Sequence, residues 1–201
     1  MQVWRRLRIV QVTLSSGILS LEQFASADCR DAESARGRCL DATVELGREA
    51  LRLGVAQQVA FVRWHVLNDP DFMEHWALVL DDGRVIDPTA VQVDGDPRAL
   101  RRMDEYPANY VSPRRYPVDS LVPMLDAGEP ANGWRYSRRQ MWSLHRWMFR
   151  HDVQAGVRAR SPRDLAEAGR ALAWSAFALA VDAALEWAVN RAAKVQARRA
   201  N

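Results

Sequence analysis

The chain has 201 residues and a formal net charge of +3 at pH 7, from 28 basic and 25 acidic side chains. That length is enough for one sizeable hydrophobic core, or a core with an appendage, and the 48% hydrophobic content is ordinary for a globular protein. Two cysteines cannot build a disulfide framework, which excludes a disulfide-stapled scaffold and favours a reducing compartment.

No targeting or membrane segment is predicted. The first fourteen residues contain arginines but neither a continuous apolar region nor a small-residue cleavage site, which disfavours a signal peptide. The most apolar run, residues 171–189, contains Asp182 and Glu186 and is therefore a poor membrane span. The sequence predicts a cytoplasmic protein that does not bind membranes, with delivery as an effector left open as an alternative.

The basic side chains are almost all arginine, since Lys194 is the only lysine. Arginine forks suit phosphate groups, but acidic residues are interspersed throughout, so nucleic-acid binding is not favoured. Residues 134–150 interleave Trp and Tyr with Arg, a pattern that can bind single-stranded nucleic acid. The same pattern fits a helix whose apolar face packs under arginine stems, which is the interpretation we favour.

In chain order, residues 8–14 alternate as a strand does and residues 18–35 favour a helix. Apolar side chains then recur at three- and four-residue steps from Cys39 to Leu53, and Gly54 follows as a helix-ending residue. The sequence therefore predicts a helix that begins at Cys39. After it we expect a strand over 57–67 and a hairpin whose strands are 75–80 and 84–87.

The second half of the chain divides differently. Residues 91–97 are predicted as a short strand and turn, and the proline- and tyrosine-rich residues 98–137 as an irregular segment that packs on the core or lines one wall of a substrate cleft. Helices are predicted over 137–151 and from Pro162 to about 198, with Ser161 as an N-cap. These elements predict a catalytic core over 1–135 and a helical extension over 136–201.

Three residues in this order suggest nucleophilic catalysis. Cys39 lies at a helix start, where free amides and the helix dipole stabilise a thiolate. His75 opens a strand and can exchange a proton with the thiol, and Asp87 on the next strand can orient the imidazole. We therefore interpret Cys39 as the nucleophile, His75 as the base and Asp87 as its orienting carboxylate.

The hairpin register decides whether His75 and Asp87 can meet. A three-residue loop over 81–83, with Gly83 left-handed, places Asp87 opposite Ala77 and on the face of His75. A two-residue loop moves Asp87 to the opposite face and separates the two side chains. The sequence allows both loops.

The stretch from Arg38 to Thr89 resembles the transglutaminase-like branch of the papain-like cysteine enzymes. The matching motifs are Gly37-Arg38-Cys39, His75-Trp76 and Asp87-Pro88-Thr89, and they span about a quarter of the chain. The resemblance implies an α+β, papain/transglutaminase-like core, in which the helix carrying the nucleophile packs on an antiparallel sheet. It also implies thiol chemistry on an amide or acyl group through Cys39, His75 and Asp87.

The expected function is a cysteine-dependent hydrolase or acyltransferase that acts on an amide, isopeptide or thioester, most simply in a peptide or protein. Trp64 and Trp76 are candidate substrate-binding residues, and the Cys39 amide, Gln23 or Trp64 are candidate oxyanion donors. We expect no cofactor and no metal, because the Cys and His residues lack metal-ligand spacing. The alternative is a catalytically idle binding module that associates with itself or a partner through residues 162–198.

Overall fold

A computed structural model describes residues 17–25, 35, 37–67, 74–95, 98–126 and 136–200. The chain divides into two compact units, Met1–Ala127 and Gly128–Asn201. The strand predicted at 8–14, most of the second half of the helix predicted over 18–35, and Cys29 lie outside the described residues.

The first unit is an α+β fold with an antiparallel sheet of five strands. Its helices are α1 (17–25), α2 (Cys39–Arg52), the short α3 (Val91–Asp94) and α4 (Val118–Asp126). Its strands are β1 (Val59–Val66), β2 (Glu74–Leu80), β3 (Arg84–Ile86), β4 (Leu100–Arg102) and β5 (Tyr110–Pro117). The predicted helix at Cys39 and the predicted strands β1 to β3 are confirmed.

The sheet has different neighbours on its two faces. Its strands lie in the order β4-β3-β2-β1-β5, and all neighbouring pairs are antiparallel. Trp64 lies opposite His75 and shares its face, whereas Phe61 belongs to the other face because side chains alternate along a strand. Phe61 lies against Gly47 of α2, beside Val122 of α4. Helices α2 and α4 therefore pack on the face opposite to His75.

Two predictions for residues 91–137 are wrong. In place of the strand expected within 91–97, residues Val91–Asp94 form α3, because the turn after β3 continues into a helix: Ala90 N donates to Asp87 O and Gln92 N to Thr89 O. Residues 96 and 97 lie outside the described residues. The supposed irregular segment contains β4, β5 and α4. β5 tolerates its prolines because, among the described strands, it lies at the edge of the sheet and pairs with β1 alone, with a register shift in the pairing. The amphipathic face of α4 outweighs its internal Pro123.

The second unit contains α5 (Arg138–Ala159) and α6 (Pro162–Ala200). Both predicted helices are present, but α5 extends beyond its predicted end at residue 151. Ser137 caps α5: Gln140 N donates to its Oγ at 3.2 Å, and its own N donates to Gln140 Oε1 at 2.8 Å. Ser161 caps α6 by accepting from Asp164 N at 3.2 Å. In the part of the chain that the structure describes, no helix combines the length and the apolar composition needed to cross a membrane.

Gly47 gives a first test of this packing. An added Cβ would lie 2.6 Å from Phe61 Cζ and 2.9 Å from Val122 Cγ2. Both distances are shorter than van der Waals contact, so the surrounding side chains must move to accept the methyl group. We expect Gly47→Ala to lower the free energy of unfolding in urea by about 1–3 kcal/mol, although alanine favours a helix. Gly169→Ala in α6 is the control, because its Cβ meets no atom within 4 Å and should raise stability by up to about 1 kcal/mol. Equal effects of the two substitutions would contradict this packing.

Candidate active site

Cys39 is the first residue of α2. The N-cap residue, Arg38, makes no side-chain capping bond, so the amides of the first turn depend on other partners. The Cys39 side chain is buried, with 8% of its surface exposed, and its Sγ lies 3.8 Å from Glu74 O at the start of β2. The nucleophile candidate thus lies beside the strand that carries His75.

A buried hydrogen bond fixes α2 against β2 one turn further along. Thr43 Oγ1 donates to Trp76 O at 3.0 Å. Cys39 and Thr43 lie on the same side of α2, four residues apart, and their partners Glu74 and Trp76 flank His75. These two contacts hold α2 against the β2 backbone on either side of His75, with the thiol at the Glu74 side.

The hairpin adopts the three-residue loop. Leu78 pairs with Ile86 and Val79 with Val85, a register that puts Asp87 opposite Ala77. Gly83 is left-handed, with φ 86°, and its N donates to Leu80 O at 3.0 Å. As a result Asp87 lies on the same face as His75.

His75 and Asp87 form a fully buried pair. His75 Nε2 and Asp87 Oδ2 are 2.7 Å apart, and 1% and 0% of the two side chains are exposed. Asp87 accepts three further bonds: from Tyr106 OH to Oδ2 at 2.8 Å, and from Thr89 N and Oγ1 to Oδ1 at 2.9 and 3.0 Å. Both carboxylate oxygens are therefore held by donors, which favours the ionised form.

The electrostatics of the pair favour an imidazolium beside a carboxylate. Burial acts to lower the pKa of His75, but the charge of Asp87 and its hydrogen bond outweigh burial and raise this pKa to about 10. Burial acts to raise the pKa of Asp87, and the attraction of His75 with the bonds from Tyr106 and Thr89 lowers it overall. Burial and the nearby Asp87 charge raise the pKa of Tyr106, which remains a neutral donor.

The second ring nitrogen of His75, Nδ1, is not bound by Asp87. Nδ1 is buried and makes no hydrogen bond within the described residues, while Nε2 is engaged by Asp87. The neighbouring Cys39 side chain also acts to raise the pKa of His75. Since Asp87 occupies Nε2, Nδ1 is the nitrogen left to exchange a proton with the thiol.

Aromatic rings enclose the pair. Trp64 stacks on Tyr106 with ring centroids 4.5 Å apart, and Tyr110 presents its edge to the His75 ring at 5.4 Å. Sequence reasoning did not assign Tyr106 or Thr89 to the site. Thr89 had a signal in its position two residues after Asp87, where Ser and Thr often bind a nearby backbone or carboxylate. The sequence signal for Tyr106 was limited to its position in a proline- and tyrosine-rich segment.

The other candidate residues lie in different environments. Trp64 and Trp76 are each 2% exposed, and Trp76 packs near Tyr116 on the sheet face opposite to His75. Their role in substrate binding stays a prediction, and both residues are almost entirely buried. Gln23 is exposed on α1. Within the described ranges, no three His, Cys, Asp or Glu side chains cluster as metal ligands would.

Comparison with known proteins gives this chain no relative: no family model, no curated protein and no solved structure matches it.

Proposed function

We propose that this protein is a cysteine-dependent hydrolase or acyltransferase with a papain/transglutaminase-like core, acting on an amide, isopeptide or thioester. The observation that carries the proposal is the buried His75–Asp87 pair, 2.7 Å apart, with Cys39 beside it at the start of α2. A buried ionisable pair next to a cysteine at a helix N-terminus is an arrangement suited to thiolate chemistry.

The first half of the reaction acylates Cys39. His75, whose raised pKa keeps it an imidazolium, holds a proton on Nδ1, and Cys39 reacts as the thiolate of a thiolate–imidazolium pair. The thiolate sulfur bonds to the substrate carbonyl carbon, and the carbonyl electrons move to oxygen. When the intermediate collapses, the imidazolium gives its proton to the leaving nitrogen or sulfur, and a thioester remains on Cys39.

The second half releases the acyl group. Neutral His75 accepts a proton from water or an amine as that nucleophile attacks the thioester carbon, and the sulfur leaves as the thiol or thiolate. Asp87 keeps its charge throughout and holds Nε2, so that Nδ1 stays directed to the reacting atoms. The amide of Cys39 is the proposed donor to the oxyanion.

Alkylation of the two cysteines tests the proposal. At pH 6, where an ordinary thiol is almost entirely protonated, we expect iodoacetamide to label Cys39 roughly tenfold or more faster than an unactivated cysteine. The rate is measured by mass spectrometry of the intact protein. Cys39→Ala should abolish the fast labelling and Cys29→Ala should leave it. Equal, slow labelling of both cysteines would refute an activated thiolate.

A second function, a catalytically idle binding module, is favoured by one observation. Cys39 and His75 are only 8% and 1% exposed, so the described surface gives a substrate little access to them. In that case the C-terminal helices would bind a second copy or a partner, and α6 offers Trp187, which is 62% exposed. Such a protein would lose its function in Trp187→Ala and keep it in Cys39→Ala, the reverse of the enzyme.

A further inference from the structure

Tyr106 is a buried phenol that binds the orienting carboxylate from outside the predicted triad. Its hydroxyl donates to Asp87 Oδ2 at 2.8 Å, and the same oxygen lies 2.7 Å from His75 Nε2. Thr89 supplies both donors to the other oxygen, Oδ1. Tyr106 is therefore the second group, after His75, that binds Oδ2.

The Tyr106 ring is held so that its hydroxyl keeps this position. It stacks on Trp64 with an interplanar angle of 21° and a centroid distance of 4.5 Å, and Tyr110 packs against it at 5.6 Å. Only 8% of the Tyr106 surface is exposed. A ring packed on two sides cannot easily rotate its hydroxyl towards water, so the Tyr106 hydroxyl stays hydrogen-bonded to Asp87 in the buried core.

We propose that Tyr106 is a positioning residue, which fixes the orientation and the charge of the Asp87 carboxylate and acts on His75 through it. This inference rests on the proposed function for its catalytic meaning. Its physical content, the coupling of Tyr106 to His75 through one carboxylate oxygen, can be measured independently of any reaction.

The coupling has a definite sign. When His75 is an imidazolium, it already neutralises part of the charge on Oδ2, and the bond from Tyr106 is weaker than to a lone carboxylate. When His75 is neutral, Tyr106 stabilises the full carboxylate charge more strongly. Tyr106 thus favours release of the proton from His75, and keeps the imidazolium from becoming too weak an acid to protonate a leaving group.

Tyr106→Phe tests the inference, since it keeps the stacked ring and removes the hydroxyl. We expect the His75 imidazolium to lose its proton about half to one pH unit higher than in the wild type, followed by NMR of ¹³C- and ¹⁵N-labelled histidine. The Nε2 proton of His75 should move downfield at pH 6, because one of the two donors at Oδ2 is gone. His75→Gln assigns both signals.

Tyr116→Phe is the matched control. Tyr116 is also buried, at 0% exposure, and its ring packs near Trp76 away from Asp87. It should lose comparable stability and leave the His75 signals in place. Unchanged His75 signals in Tyr106→Phe would overturn the inference, whether or not the protein folds less stably. Slow alkylation of Cys39 with shifted His75 signals would instead refute the proposed function and uphold the coupling.

Discussion

Asp87→Asn is expected to destabilise the protein and to deactivate Cys39 at the same time. Asparagine matches the shape of aspartate but carries no charge, and its single carbonyl oxygen can replace only one of the two oxygens that accept from Thr89 and from Tyr106. His75 is then a buried imidazole without a counter-ion, so burial controls its pKa and lowers it below the ordinary 6.5. Removal of one partner from a buried ion pair costs about 3–5 kcal/mol.

The effect on reactivity follows from the same loss. Without the carboxylate, His75 is neutral at pH 7, the stabilising charge beside the thiolate disappears, and the tautomer is no longer fixed. We expect the second-order rate of Cys39 alkylation to fall roughly tenfold or more at pH 6, towards that of an ordinary thiol. If an acyl substrate is found, the loss in its turnover should be larger, roughly 10²–10⁴-fold.

Asp119→Asn is the control for this substitution. Asp119 is exposed and accepts hydrogen bonds from Gln57 Nε2 at 2.8 Å and from Ser120 Oγ at 3.1 Å. It should change the free energy of unfolding by no more than about 0.5 kcal/mol and leave alkylation unchanged. Wild-type stability in urea together with a normal alkylation rate in Asp87→Asn would show that the pair has neither role.

Local patterns were sufficient to predict the elements that hold the candidate triad. The periodicity after Cys39 and the left-handed Gly54 define α2, and both depend on residues close in sequence. The hairpin needed one further fact, the loop length. Gly83 in the left-handed region selects three residues, because a glycine at that position closes a type I turn with a bulge. Sequence alone left this choice open.

The parts that were predicted wrongly depend on contacts distant in sequence. Prolines argued against a strand at residues 110–117, yet β5 is an outer strand whose pairing with β1 joins residues about fifty positions apart. Tyr106 reaches Asp87 only because β4 and the turn after it return the chain to the same sheet face. A local pattern carries no information on such a return, so the tyrosine could not be assigned to the carboxylate.

Stability should depend on pH in a way that reports the buried pair. The folded protein keeps a proton on His75 up to a pKa of about 10, whereas the unfolded chain releases it near 6.5. The stability that the His75 proton contributes to the folded state is therefore complete below pH 6.5. It is lost as the pH rises towards 10, by up to about 3–5 kcal/mol. Asp87 has the corresponding effect at acid pH. Because its pKa is lowered in the folded protein, the stability that its charge contributes is lost as the pH falls below the ordinary aspartate pKa of 3.8.

Urea unfolding at roughly pH 5.5, 7.5 and 9.5 measures how the free energy of unfolding changes with pH between the acid and alkaline limits. The upper limit avoids the range in which tyrosines ionise, since the raised pKa of Tyr106 would add its own loss of stability there. His75→Gln supplies the baseline, because it lacks the titrating group while all other residues still contribute. The difference between wild type and variant should shrink steadily with rising pH. A difference that stays constant across this range would mean that His75 is neutral in the folded protein, and the thiolate–imidazolium pair would then lose its basis.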